Sequence, residues 1–243
     1  MKRLGFFVGF GGVLLILSGC YTLDKTRDFS PYNPVGIVSV VSNYDINWIG
    51  EAPTVSSSVG DFLRKTVSGN IDETMVDISK ADTLINDAEL LIRENIAGSG
   101  LAVFMDKDTV LNAAAYLEAP ESRRRDNETA KAAGYRFIDY RNRKAAARIA
   151  EETGTQALMF VNFTFTKEMV SGISKNGNFR ANVLMNVTIT DRTGKMIYYK
   201  NFNTYSRKKI HVSWGSYSHD ELMDIFKSAI AEACYFFLEG FKR

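Results

Sequence analysis

The chain has 243 residues, of which 45% are hydrophobic and 24% are charged. This is the composition of a folded globular protein, and it excludes a disordered chain. The formal net charge of +2 is too small to produce the strong positive field that draws nucleic acid, so no nucleic-acid partner is expected.

The amino terminus has the layout of a secretory signal peptide. Lys2 and Arg3 precede an apolar run from Leu4 to Leu17. Its 14 apolar or glycine residues fall short of the roughly 20 that a membrane span needs, although an uncleaved anchor helix stays open as the alternative. Removal of residues 1–19 would leave 28 basic and 28 acidic residues, so the mature chain would be about neutral.

The apolar run ends in the tetrapeptide Leu17-Ser18-Gly19-Cys20. This sequence resembles the lipobox of bacterial lipoproteins, in which an aliphatic residue, a small residue and Gly or Ala precede an invariant Cys. The resemblance implies cleavage between Gly19 and Cys20, an S-diacylglyceryl group on the Cys20 thiol and an acyl group such as palmitate on the new amine. Two or more acyl chains hold a protein stably on a bilayer.

Residues 20–33 are polar and are predicted to form the lipidated tether. Tyr21 and Thr22 follow the cysteine, so the acidic signal that retains lipoproteins in the inner membrane is missing. The resemblance therefore favours the outer membrane over the inner. The other cysteine, Cys234, lies in an apolar helical segment and is predicted to be a small buried hydrophobe, with a disulfide to Cys20 as the alternative.

The first half of the domain alternates strand and helix signals. Val35–Ile49 is rich in β-branched residues and predicts a strand with a second short strand. A turn-rich loop over residues 50–60 and a short helix over 61–68 follow. Apolar residues at helical spacing predict a helix over Ser79–Ala97, and Leu101–Met105 is predicted to be a short buried strand.

The middle of the chain contains two predicted helices and two predicted strands. A helix over Asp108–Leu117 is followed by a polar, charged loop over Glu118–Gly134. A second helix over Tyr140–Thr153 ends at a glycine. Gln156–Thr166 and Phe179–Thr190 are predicted strands, and the second alternates apolar and polar residues cleanly.

A hairpin and a closing helix complete the predicted fold. Asp191–Gly194 supplies a turn with glycine at the positive φ position, and Lys195–Ser206 is the returning strand. Apolar residues from Leu222 to Phe237 mark a long last helix. The order β-α-β-α-α-β-β-β-α predicts an α+β fold with a mixed sheet and helices packed on it, as one domain over residues 34–243.

Residues 141–241 resemble a periplasmic lipoprotein superfamily. It includes the curli-secretion channel lipoprotein, the lipoprotein activators of penicillin-binding proteins and the TolB amino-terminal domain. The resemblance is carried by a helix that ends at Gly154, a buried strand, and a turn that reads Asp191-x-x-Gly194 before Lys195. It implies an envelope role, but Lys167–Asn178 is too short and polar to suggest the membrane-spanning hairpin of a pore.

The two histidines are the nearest approach to a chemical site. His211 and His219 lie eight residues apart, and Asp220 follows the second. A zinc site needs three or four ligands at defined spacing, and this spacing fits no such pattern. Ser218-His219-Asp220-Glu221 instead predicts a helix start. No catalytic, metal-binding or cofactor-binding residue is assigned.

The sequence thus favours a non-enzymatic, lipid-anchored envelope lipoprotein that binds another envelope protein, in assembly, secretion or regulation of wall synthesis. Two alternatives stay open. One is a membrane-tethered hydrolase or metal-dependent enzyme that uses His211, His219 and Asp220. The other is a lipoprotein that binds a small ligand or a lipid.

Overall fold

The computed structural model describes residues 29–49, 73–122, 129–173, 176–213 and 217–242. The predicted signal peptide, Cys20, the loop over residues 50–60 and the helix over 61–68 lie outside these ranges. Predictions for them therefore stay predictions.

The described residues form seven strands and five helices, preceded by a 3-10 turn at Ser30–Tyr32. The strands are β1 (Val35–Asn43), β2 (Asn47–Ile49), β3 (Thr129–Lys131), β4 (Ala157–Ile173), β5 (Asn176–Asp191), β6 (Met196–Tyr205) and β7 (Ile210–Val212). The helices are α1 (Glu73–Gly98), α2 (Lys107–Leu111), α3 (Ala114–Glu118), α4 (Arg143–Thr153) and α5 (His219–Lys242). The predicted α+β class is confirmed.

All seven strands belong to one mixed sheet, whose main order is β3-β1-β4-β5-β6. β1 runs parallel to β4, and β2 continues beside β4 in the same direction. The β4–β5, β5–β6, β1–β3 and β5–β7 pairs are antiparallel. The hairpin of β4 and β5 is therefore the centre of the sheet, and each of its strands has neighbours along most of its length.

The two central strands alternate between an inner face that is buried and an outer face that is mixed, with Leu158 and Phe160 buried and Asn162 and Thr164 exposed. Cross-strand pairs such as Val161–Val187, Phe163–Met185 and Phe165–Val183 fill the buried, inner face. Pairs such as Asn162–Asn186 and Thr164–Leu184 lie on the other, outer face. A slip of one residue would exchange the two faces, so burial of one face fixes the register.

Helices α1 and α5 pack side by side over the inner face. Most of the apolar residues predicted for the last helix are buried there, among them Leu222, Ile225 and Phe226, whereas Phe236 is exposed. Phe226 packs edge-on against Phe165 of β4, with ring centroids 5.7 Å apart. An ion pair of 3.0 Å between Lys227 of α5 and Asp87 of α1 joins the two helices.

The central hairpin continues into the polar segment that follows residue 166, and this segment contains a buried lysine. Lys167 is 1% exposed and lies on the inner face opposite Ala181. Its ammonium group is 4.9 Å from the Trp48 ring centre and 3.2 Å from the hydroxyl of Tyr217. Cation–π contacts of this kind stabilise a buried ammonium group. They connect β2 and the segment before α5 to the hairpin.

The predicted strand at Leu101–Met105 is wrong. The segment forms a single parallel bridge, with Val35 N–H donating to the Val103 carbonyl at 2.8 Å and Met105 N–H donating to the Val35 carbonyl. Val103 is 63% exposed. The pairing ends at once because the Asp106 carboxylate accepts a bond from Thr109 N–H and so caps α2.

The single helix predicted over Asp108–Leu117 is two short helices, α2 and α3. The chain is extended at Ala113, with ψ of 134°. Glu152, in α4, accepts hydrogen bonds of 2.7 Å from the N–H groups of both Ala114 and Ala115. This carboxylate satisfies the first turn of α3 from a distant helix, a tertiary effect that helical spacing does not report.

Two short strands were not predicted. β3 lies in the segment predicted as a polar loop, where Ala130 is buried against β1. β7 follows β6 after a break and pairs with the start of β5. Each has three residues, which is too short for an alternation of apolar and polar side chains to be recognised.

The predicted turn between β5 and β6 is confirmed. The Asp191 carboxylate accepts bonds from Thr193 N–H at 2.8 Å and from Lys195 N–H at 3.0 Å. Gly194 has φ of +75°, and a Cβ atom there would overlap the backbone of Arg143 at the start of α4. Glycine is therefore needed here for two reasons: the turn requires a positive φ, and the backbone of α4 lies too close for a side chain.

Comparison of Gly154 with Gly194 separates the effect of positive φ from the effect of close approach. Gly154 has φ of +70°, but a Cβ atom there would meet nothing within 4 Å. We expect Gly154→Ala to cost about 1–2 kcal/mol through backbone strain alone. Gly194→Ala should cost about 3 kcal/mol or more, because α4 must also shift. Urea unfolding of both variants measures this, and equal losses would contradict the close-approach argument.

Candidate functional site

The structure does not bring the two histidines into a recognisable site. His211 is exposed on β7, opposite Asn178. His219 is the first residue of α5, and its ring packs on Tyr217 at 5.3 Å. Within the described ranges, no three His, Cys, Asp or Glu side chains are grouped so that they could hold a metal ion.

Ser218 begins α5 as the sequence predicts. Its side-chain oxygen accepts a bond from Glu221 N–H at 3.3 Å, and its carbonyl accepts a bond from Leu222 N–H at 3.0 Å. The acidic residues Asp220 and Glu221 lie in the first turn, where their negative charges interact favourably with the positive end of the helix dipole. Local capping therefore accounts for this cluster.

Cys234 is a buried hydrophobe, as predicted. It is 1% exposed among the apolar residues of α5. Burial raises the pKa of its thiol to about 12, because the charged thiolate would lose its hydration. The thiolate is the reactive form, so this cysteine is protected against modification in the folded protein.

We expect Ellman's reagent at about pH 8 to react with Cys234 roughly a thousandfold more slowly in the folded protein than in guanidinium. The Cys20→Ala variant isolates this thiol. A matched control adds Ser228→Cys and Cys234→Ala, because Ser228 is exposed on the same helix. Fast reaction of Cys234 in the folded chain would contradict its burial.

The long edge of the sheet is its most accessible binding feature. β6 has ten residues and pairs with β5 on one side; among the described residues no strand pairs with its other side. The opposite edge strand, β3, has only three residues. Unpaired N–H and C=O groups along an edge strand form a template for another extended chain.

The edge is interrupted where β6 ends. Ser206 bonds to β5 as a strand residue would, but partly through its side chain. Its N–H donates to the Ala181 carbonyl at 2.9 Å, and its side-chain oxygen accepts a bond from Ala181 N–H at 3.0 Å. The same hydroxyl donates to the Lys208 carbonyl at 2.8 Å. The chain leaves the sheet over residues 207–209 and returns as β7.

A groove of about 350 Å³ lies at this interruption. It is lined by Arg180, Asn203, Thr204, Tyr205, Ser206, Arg207, Lys209, Glu232 and Phe236. One wall comes from the outer face of the sheet, and the other comes from α5. We call this feature the edge groove.

The sheet wall of the edge groove is held rigidly. The guanidinium group of Arg180 lies 4.0 Å from the centre of the Tyr205 ring. It also donates to the Glu168 carboxylate at 2.6 Å on the neighbouring strand. This hydrogen bond raises the pKa of Arg180 above its usual value, so the group is always positively charged.

The edge groove has an excess of positive charge. Three cationic side chains, Arg180, Arg207 and Lys209, line it together with one carboxylate, Glu232. Because Glu168 pairs with Arg180, the local excess is about one positive charge. Arg207 and Glu232 are 3.6 Å apart, but the Arg207 side chain is 89% exposed, so this pair contributes little to stability. The charge of Arg207 therefore remains accessible to a partner.

Exposed aromatic rings lie next to the edge groove on α5. Tyr235 is 55% exposed and Phe236 is 45% exposed, and their ring centres are 5.9 Å apart. Large exposed aromatic side chains are common anchors of protein interfaces. The site thus combines an open strand, positive charge and an apolar surface.

The edge groove is not predicted from the sequence. Its signal in the sequence is the run Arg207-Lys208-Lys209 directly after a strand. Only the pairing of β7 with β5 shows that residues 207–209 border an open edge.

No family model and no curated protein matches this chain. A search of solved structures finds similarity to the selenomethionine LpoB C-terminal domain from Salmonella enterica. The match has 14% sequence identity and a TM-score of 0.27, and it covers 70% of this chain and 81% of that domain. A similarity of this size transfers no residue and no activity to this chain.

Of the helices in the described part of the chain, none combines the length and apolar character needed to cross a membrane.

Proposed function

We propose that this chain is a non-enzymatic bacterial lipoprotein that binds another envelope protein through the edge groove. Its anchor is the diacylglyceryl group predicted at Cys20, after cleavage at Gly19. We place it at the outer membrane rather than the inner, because Tyr21 and Thr22 follow the cysteine without an acidic residue.

The open edge of β6 is the observation that supports the binding role. An extended segment of a partner can add to β6 as a further strand, with main-chain hydrogen bonds that supply affinity. The edge groove and the rings of Tyr235 and Phe236 then supply specificity for side chains. No other long edge is open in the described part of the sheet.

The charge of the edge groove identifies the kind of segment that fits. Arg180, Arg207 and Lys209 favour acidic side chains, and the exposed aromatic pair favours an apolar or aromatic anchor. We therefore propose an extended acidic segment with one apolar anchor. Because the whole mature chain is about neutral, this attraction is local to the groove.

The position of Phe29, the first residue that the structure describes, limits where binding takes place. Phe29 is 5% exposed and packs edge-on against Phe241 of α5, with ring centres 5.3 Å apart. Eight residues lie between Cys20 and Phe29, so the nine steps from one Cα atom to the other reach about 30 Å at full extension. The proposed partner segment must therefore come close to the membrane surface.

Replacement of Cys20 by Ala tests the anchor. We expect loss of labelling by a palmitate analogue and transfer of the protein from the membrane fraction to the soluble fraction, since one residue carries all the acyl chains. Cys234→Ala is the matched cysteine control and should keep both properties. A Cys20→Ala protein that stays labelled and membrane-bound would disprove the anchor.

Photo-cross-linking in intact envelopes tests the edge groove. A benzoylphenylalanine at Asn203 should capture a specific envelope protein, whereas the same group at exposed Leu90 on α1 should not. Arg207→Glu with Lys209→Glu should lower the yield at least about tenfold, because two attractive charges become repulsive.

The matched charge control is Arg192→Glu with Lys195→Glu. Both residues are exposed at the β5–β6 turn, about 25 Å along β6 from the edge groove. This variant has the same net charge and should cross-link normally. Equal loss in both double variants would show a general charge effect and would count against the edge groove.

A further inference from the structure

A second concave site lies on the outer face of the sheet, away from the edge groove. It is a cleft of about 250 Å³ between the strands and the segment that precedes α4. It is lined by Ser39, Val41, Ser122, Phe137, Ile138, Asp139, Tyr140, Arg141, Phe160, Val161, Asn162, Asn186, Thr188 and Tyr199. We call it the outer cleft.

Ser39 contributes a buried hydroxyl without a partner to the outer cleft. The residue is 2% exposed on β1, beside Phe160 of β4. Among the described residues, its side-chain oxygen has no hydrogen-bond partner. A buried polar group left unpaired costs free energy, and native proteins rarely keep one without a reason. A ligand hydroxyl in the cleft would satisfy it.

The amide of Asn186 is fixed in one orientation. Its Nδ2 group donates both to the Tyr199 hydroxyl at 3.1 Å and to the Asn201 side-chain oxygen at 2.7 Å. Both donors of the amide are therefore used, and its oxygen is presented as an acceptor. Asn162 lies directly opposite on β4 and is exposed. The floor of the outer cleft is thus a preorganised row of amides.

Aromatic rings and one balanced pair of charges complete the walls. Tyr140 packs edge-on against Phe160 at 6.3 Å, and the Tyr199 ring is 45% exposed. The Asp139 carboxylate accepts a bond from Arg141 N–H at 2.9 Å, and the Arg141 guanidinium group lies 5.5 Å from the Tyr140 ring centre.

This combination excludes two classes of ligand. An anion such as a phosphate would meet Asp139 as well as the single cation Arg141. An apolar ligand would leave the buried Ser39 hydroxyl unpaired and would cover the polar Asn162 side chain and the Asn186 amide oxygen without bonding to them, which is costly. The outer cleft therefore suits a neutral molecule with many hydroxyls and an apolar face.

We infer that the outer cleft binds one neutral pyranose ring, either as a free sugar or as a residue of a glycan. Sugar hydroxyls donate and accept, so they match the amides and Ser39, and the C–H face of the ring packs on Tyr199. The volume lies below the roughly 300–1,000 Å³ of pockets for drug-sized ligands, which agrees with a single ring.

Saturation-transfer NMR with the full-length lipoprotein in detergent micelles tests this inference. The probes are N-acetylglucosamine and glucose for the free sugar, the β-1,4-linked trimer of N-acetylglucosamine for a glycan, and sorbitol as an open-chain polyol. We expect saturation of ring C–H protons and a Kd of about 1 mM for a pyranose. Stronger binding of the trimer would identify a glycan as the source, and equal binding would identify the free sugar.

Two variants separate a ligand role from a structural one. Tyr199→Ala should raise the Kd at least about fivefold. Ser39→Ala should also raise the Kd, yet leave the thermal midpoint unchanged or higher, because it removes an unpaired hydroxyl. A hydroxyl that served only the fold would give a lower midpoint and an unchanged Kd.

Tyr235→Ala is the matched control, because it removes a tyrosine on α5 that is 55% exposed, against 45% for Tyr199. Its Kd is expected to stay within twofold of that of the unchanged protein. Absence of saturation with every sugar, equal saturation with sorbitol, or equal weakening in the Tyr235→Ala control would each overturn the inference. Arg207→Glu with Lys209→Glu should leave sugar binding intact, so the outer cleft and the edge groove are tested separately.

Discussion

Burial of the inner face of the sheet, with α5 over the β4–β5 hairpin and α1 over β1 and β3, is the constraint on which the rest of the structure depends. The inner side chains, from Met159 to Met169 on β4, alternate with residues that face away from the helices. Because the apolar members of that set cannot leave the core, the register of both strands is fixed. The positions of the outer residues follow from this constraint rather than from contacts of their own.

Both proposed binding features are consequences of that fixed register. The outer cleft needs Asn162, Asn186 and Asn201 side by side across three strands, and the pairing places them so. The edge groove needs Arg180 beside Tyr205, on neighbouring strands whose inner residues are buried. A rigid core on one face thus supports polar recognition on the other, a division typical of functional sites on preorganised scaffolds.

The two sites differ in the physics that would drive binding. The edge groove has positive charge, an open strand and exposed rings, all of which are accessible to solvent and suit a protein segment. Electrostatic attraction there would depend on salt concentration. The outer cleft has balanced charge and a buried unpaired hydroxyl, so directional hydrogen bonds would dominate. One chain can therefore use both without competition between them.

The sequence by itself determined the elements whose signals are local and repeated. The alternation of Phe179–Thr190, the helical spacing from Leu222 to Phe237 and the turn at Asp191–Gly194 each predict a structure from neighbouring residues alone, and the α+β class follows from their order. Only the tertiary structure decided the split between α2 and α3, the strands β3 and β7, and the two sites. Glu152 reaches α3 from another helix, and Ser39 and Asn186 line the same cleft from two different strands. Contacts between residues far apart in the chain leave no periodic pattern, because their partners are selected by packing rather than by spacing.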